Sequence, residues 1–172
     1  MNRLLQSITC FFLFVSMGAA QQPAKSDTEQ KSLSGIEWLK QFKGTWATEY
    51  DGTMKSRVLA DKWLVSEISF NGKAFSVQTL GWDEKKKKFV GTWVDGTSSH
   101  VWHYSGWLDD SGRKIILEAE GPDMQEPSIM RLYRDSYEFV SADEIHAATK
   151  FKNSSGKWEL FNKAKMTRKL KQ

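Results

Sequence analysis

Gly81-Trp82-Asp83-Glu84-Lys85-Lys86-Lys87-Lys88-Phe89-Val90-Gly91-Thr92-Trp93-Val94-Asp95 is the stretch that decides how this chain folds. Four consecutive lysines behind an Asp-Glu pair belong to no hydrophobic core, so this run marks a solvated turn. The residues on either side, near 73–82 and 88–95, alternate with a period of two and carry β-branched and aromatic side chains. A strand, a charged turn and a second strand make a β-hairpin.

The same rhythm extends in both directions. Asn71-Gly72 is the residue pair that a type I′ hairpin turn favours, and Asp109-Asp110-Ser111-Gly112 and Asn153-Ser154-Ser155-Gly156 are longer turns. Candidate strands fall near 44–50, 55–61, 62–70, 73–82, 88–95, 99–108, 113–121, 128–134, 136–142, 144–152 and 157–168. The three prolines, Pro23, Pro122 and Pro127, leave the strand-rich middle free to form ladder hydrogen bonds. A meander of about ten short strands closes most readily into an up-and-down antiparallel barrel, because closure removes exposed edges. The expected fold is therefore all-β; a two-sheet sandwich is the alternative. Upstream of the strands, Leu33, Ile36, Trp38, Leu39 and Phe42 fall at helical spacing, with Ser34 as N-cap and Glu37 three residues later. This predicts one short N-terminal helix over 35–42.

The first twenty residues have a different character. Arg3, the apolar run Leu4–Val15 and the small residues Gly18-Ala19-Ala20 read as a secretory signal peptide cut near Ala20, followed by a polar linker over 21–32 and a single domain over 33–170. Removing 20 residues from 172 leaves 152, enough for one domain with a substantial core. The apolar run is shorter than the roughly 20 residues a spanning helix needs, so no membrane span is expected. Export to the periplasm or the cell exterior follows from this reading.

Cys10 is the only cysteine and leaves with the signal, which excludes disulfides, thiolate metal sites and a cysteine nucleophile from the mature chain. Ser7-Ile8-Thr9 before it is a poor lipobox, so no lipid anchor is expected. An aromatic content of 13%, with all 8 Trp after the cut, must then supply the core's cohesion. The net charge of +4 is modest and sits mostly in Lys85–Lys88 and the tail. Solvated loop charge explains it better than a nucleic-acid partner does, and a monomer is expected.

Two segments carry a family resemblance. Glu37-Trp38-Leu39-Lys40-Gln41-Phe42-Lys43-Gly44-Thr45-Trp46 places a helix before a Gly-x-Trp strand and resembles the opening of lipocalin-like, or calycin, barrels. The resemblance implies that Gly44 and Trp46 help close one barrel end, with Arg168 from the last strand across the indole. Gly81–Asp95, followed by Tyr104-Ser105-Gly106-Trp107-Leu108-Asp109, is similar to the bacterial family known as domain of unknown function 1579. That resemblance covers about Leu33 to Arg168 and implies a calycin-type barrel, often exported, without an established substrate. Tyr133-Arg134-Asp135 departs from the Thr-Asp-Tyr pattern of true lipocalins.

No arrangement of residues demands catalysis. His100 and His103 lie three apart and would point to opposite faces of a strand, which argues against a shared metal. Asp95, Ser98 or Ser99, and His103 could be written as a triad, but Asp95-Gly96-Thr97-Ser98-Ser99 reads as a turn. Heme is not expected: the last strand lacks the late histidine that nitrobindin, a heme-binding relative of this barrel type, would supply, and His103 would have to serve.

A barrel of this size can enclose a cavity, however, and polar residues among apolar alternation partners are candidates to meet a ligand. His103, which shares a face with Val101, Ser105 and Trp107, is expected to point inward. Arg131 and Tyr133 share a face with Ile129, and periodicity leaves open whether that face is internal. Trp93 and Trp107 would form apolar wall. The expected function is a non-catalytic binding module for a small apolar or weakly acidic ligand, with Arg131 holding the acid. The alternative is an envelope-associated or protein-interaction barrel whose interior is filled.

Overall fold

A computed structural model describes residues 33, 35–49 and 51–169. The proposed signal peptide, the linker and the Ser34 cap lie outside the described residues. A short helix α1 (Gly35–Leu39) runs into a turn of 3-10 helix (Lys40–Phe42). Ten strands follow: β1 (Gly44–Thr48), β2 (Gly52–Leu59), β3 (Trp63–Phe70), β4 (Lys73–Asp83), β5 (Lys88–Asp95), β6 (Trp102–Leu108), β7 (Lys114–Pro122), β8 (Met130–Ser141), β9 (Glu144–Lys152) and β10 (Trp158–Arg168). Each pairs antiparallel with its neighbour in sequence, and β1 pairs with β10 to close the barrel. The expected architecture is the observed one.

Local chemistry accounts for the turns. Asp83 Oδ1 accepts from the backbone N–H of Lys85 and of Lys86, both at 3.0 Å, and this ties the lysine run into the β4–β5 hairpin. Asn71 and Gly72 both have positive φ, at 51° and 74°, as a type I′ turn requires.

Two expectations need correction. The helix predicted over 35–42 keeps its span, but only its first five residues are α-helical and the last three are 3-10. The separate strands predicted at 128–134 and 136–142 are one strand, β8, which runs unbroken through Asp135. A carboxylate in mid-strand suggests a break when its partners cannot be seen; here they lie on β6 and β9.

The barrel interior is divided along its axis. At the helix end, Trp38, Leu39, Phe42 and Trp46 from the N-terminal segment pack with Leu64, Leu80, Phe89, Ile115, Leu117, Phe139 and Ile145 from the strands, all buried. The rings meet edge-on, as in Phe42 against Phe139 at 4.9 Å and Trp38 against Phe139 at 5.5 Å. Polar atoms in this plug are paired: the indole N–H of Trp38 donates to the Gly112 carbonyl and that of Trp46 to the Phe42 carbonyl, each at 2.8 Å. Arg168 seals the end. Its guanidinium lies 4.0 Å from the Trp46 ring and donates to the carbonyls of Gln41, Lys43 and Ala142 and to Asp143. Gly44 lies beneath it with φ +128°, a backbone conformation that favours glycine, and a Cβ there would sit 3.0 Å from an Arg168 nitrogen.

Candidate functional site

Beyond the plug, small or short polar side chains stand among the inward-facing ones: Thr48, Ser76, Ala147, Thr149 and Ala164. They cannot fill the barrel. A cavity of about 450 Å³ remains, and exposed rim residues such as Glu49, Phe75, Met124 and Phe161 place its mouth at the end opposite α1. The interior is therefore not solid at this end. Trp93, Trp102, Tyr104, Tyr133 and Tyr137 form much of the wall. Trp102 can lie flat there only because Gly121 faces it: a Cβ at that position would approach the ring to 2.1 Å.

A polar cluster lies deep in this cavity. Asp135 on β8 accepts a short hydrogen bond from the Tyr104 hydroxyl of β6 and another, at 2.6 Å, from Thr149 Oγ1 of β9. Two residues along β8, Gln78 Nε2 donates to the Tyr137 hydroxyl at 3.4 Å from across the barrel. Outside the cavity lining, the Ser56 and Ser66 hydroxyls pair at 2.8 Å. Ser76 differs from all of these: it is 3% exposed, it lines the cavity, and its Oγ has no hydrogen-bond partner among the described residues. Asp135 lies deep in the barrel yet keeps part of its surface open to the cavity.

Burial sets the electrostatics of this cluster. Desolvation holds the Asp135 carboxyl above its usual range, against the opposing donation from Thr149 and Tyr104. It also pushes the Tyr104 and Tyr137 phenols upward, reinforced in both by the charge of Asp135. Asp95, nearer the mouth, goes the other way. Burial opposes its ionisation, but donation from Thr97 and from the Trp93 indole at 2.8 Å outweighs this and lowers its pKa.

The residues picked out in the sequence divide between the two faces of the barrel. Trp93 and Tyr133 line the cavity, and the Tyr133 hydroxyl donates to the Pro122 carbonyl at 3.1 Å. Arg131 shares the inner face with Tyr133, but it is engaged at the rim with Asp123, with its guanidinium 5.6 Å from the Phe151 ring, and is not part of the cavity wall. His103 and Trp107 were expected inside and are exposed on the outer face. Burial alternates along β6, with Trp102, Tyr104 and Gly106 on the inner face instead. Trp107 packs near Arg134 on that outer face, at 5.8 Å, where Arg134 also pairs with Glu118.

No histidine lines the cavity among the described residues, and none of them form a group of three or more metal-ligating side chains. Asp95 and Thr97 make a turn, as read, and Ser98 Oγ caps the His100 N–H at 3.2 Å. Asp135, Tyr104, Tyr137 and Ser76 were missed. The available signal was alternation along β8: extending the Tyr133 face past Arg134 brings Asp135, Tyr137 and Phe139 to the same side.

The family model described as protein of unknown function (DUF1579) matches residues 31–168, and the chain belongs to that family. No curated protein matches the chain. Among the described residues, no helix is long and apolar enough to cross a membrane.

Proposed function

We propose that this protein is a non-catalytic binding module that holds a small, mainly apolar molecule in the open end of its barrel. The observation that carries this reading is the unpartnered, buried hydroxyl of Ser76 on the wall of a cavity of about 450 Å³. A cavity of this volume is within the range of small-ligand sites, roughly 300–1,000 Å³, and an aromatic wall with a few convergent polar groups is their usual chemistry. The same volume weighs against a barrel filled solid and working only through its surface. The reading includes export, with the signal removed near Ala20; a mature N-terminus well before that residue in the secreted protein would remove this part.

Tryptophan fluorescence tests the proposal directly, since Trp93 and Trp102 line the cavity. Titration with a panel of small aromatic and aliphatic compounds is expected to give saturable changes for some of them. A flat response to the whole panel from folded protein would overturn the reading.

A further inference from the structure

The cavity carries charge of the opposite sign to the protein. Lys and Arg outnumber Asp and Glu by 25 to 21 over the chain, yet the charged residues among the described cavity lining are Glu49, Asp95 and Asp135. No lysine, arginine or histidine is among them. Arg131, the cation nearest to this role in the sequence, is taken up by Asp123.

Asp135 is the deepest of the three. Each of its oxygens accepts one hydrogen bond, from Tyr104 and from Thr149, and a carboxylate oxygen has capacity for more. Both donors are neutral hydroxyls, so the carboxylate is hydrogen-bonded but not balanced by a charge. A buried carboxylate in that condition is costly unless a cation reaches it. The rings of Trp93, Trp102, Tyr104, Tyr133 and Tyr137 line the same cavity. Electron-rich ring faces attract organic cations, most strongly where water is excluded. A ligand carboxylate would meet the reverse, with like charge at the bottom and at the mouth.

We propose that the cavity selects an organic cation: an amine carried on an apolar body, with its ammonium group directed at Asp135 and its body against Trp93 and Trp102. This deepens the binding-module reading and rests on it. It also replaces the weakly acidic ligand expected from the sequence, because that expectation required a free Arg131. Ser76 Oγ supplies a second polar contact on the wall, to a hydroxyl or amine substituent of the ligand.

Three compounds with the same body and different heads form the test: 4-phenylbutylamine, 4-phenylbutan-1-ol and 4-phenylbutyric acid, titrated near neutral pH into the folded protein by calorimetry and tryptophan fluorescence. The amine is expected to bind about tenfold or more tighter than the alcohol, and the acid more weakly than the alcohol. Asp135→Asn is expected to weaken the amine about tenfold and to change the alcohol less than about threefold. If that variant fails to fold, the ranking of the three heads on the unmodified protein decides the matter. Binding of the alcohol or acid at least as tightly as the amine would overturn the cation preference and leave the binding module standing. Absence of binding by all three would count against both.

Discussion

The two ends of this barrel are made by the same ten strands and treat buried polarity in opposite ways. At the helix end, bulky side chains interlock and the indole N–H groups of Trp38 and Trp46 meet carbonyls. At the open end the strands place serine, threonine and alanine inward, leaving a cavity that contains an uncompensated carboxylate and an orphan hydroxyl. The strand ladders continue through both halves, so side-chain volume rather than backbone topology separates a stabilising end from a receptive one. An N-terminal segment of eight residues, Gly35–Phe42, plugs one mouth and leaves the other free.

The largest expected effect tests the plug. Trp46 is 0% exposed, so Trp46→Ala should destabilise the protein by about 3–5 kcal/mol in urea unfolding. Arg168→Ala removes a ring contact and several charge-assisted hydrogen bonds to carbonyls, and should cost about 1–3 kcal/mol. A loss below about 1 kcal/mol for Trp46→Ala would mean that this end does not hold the fold together.

Filling the open end sharpens the contrast. Ala147→Leu adds volume beside the cavity, and the space there should accept it with a stability change within about 1 kcal/mol. Adding comparable volume in the plug, as in Leu117→Phe, should cost about 1–3 kcal/mol by overpacking. Ligand-dependent fluorescence should fall in the first variant. Equal destabilisation by the two substitutions would show that the ends are packed alike.

Much of this division was legible before the structure, though unevenly. The hairpins were, because turn chemistry is local: Asn71-Gly72 and the Asp83-led lysine turn specify themselves. The Trp46–Arg168 closure was accessible only through the family resemblance, since nothing local joins two residues so far apart in sequence. The inner face of β6 was not legible: Trp107 stands on one face and Trp102 and Tyr104 on the other, so hydrophobicity could not rank them. The alternation was right and the choice of face was not, so His103 and Trp107 stand on the outer side. Asp135 was hidden for a different reason. Its place in a strand depends on hydroxyls from two other strands, and such partners are invisible in a one-dimensional pattern.

A pH dependence should distinguish the open end by its sign. A carboxyl whose pKa is raised on folding binds more protons in the folded state than in the unfolded one. The burial of Asp135 therefore lowers stability as pH rises from its ordinary value of 3.8 through the higher folded value, and the loss is complete above that value. Asp95, with a lowered pKa, contributes in the opposite direction and loses its contribution in acid. Asp135→Asn removes only the first effect. Stability of this variant relative to the parent is expected to increase with pH across that window and then level off, as measured by unfolding at a series of pH values. A constant difference would place Asp135 in an environment no drier than water.

The smallest effect compares two serines. Ser56 Oγ is paired with Ser66 at 2.8 Å, and Ser56→Ala leaves the partner hydroxyl buried without a bond, at a cost of about 1–2 kcal/mol. Ser76 Oγ has no partner to lose, so Ser76→Ala removes a desolvated hydroxyl and should be neutral or stabilising by up to about 1 kcal/mol. The two substitutions delete the same atom from residues that are 7% and 3% exposed, which makes the sign of the difference the informative quantity. With a ligand bound that reaches Ser76, the order should reverse for affinity: Ser76→Ala should weaken binding, while Ser56→Ala, away from the cavity lining, should leave it nearly unchanged. If Ser76→Ala destabilised the free protein as much as Ser56→Ala, its hydroxyl would have an internal partner, and the open end would lose the orphan group that sets it apart from the plug.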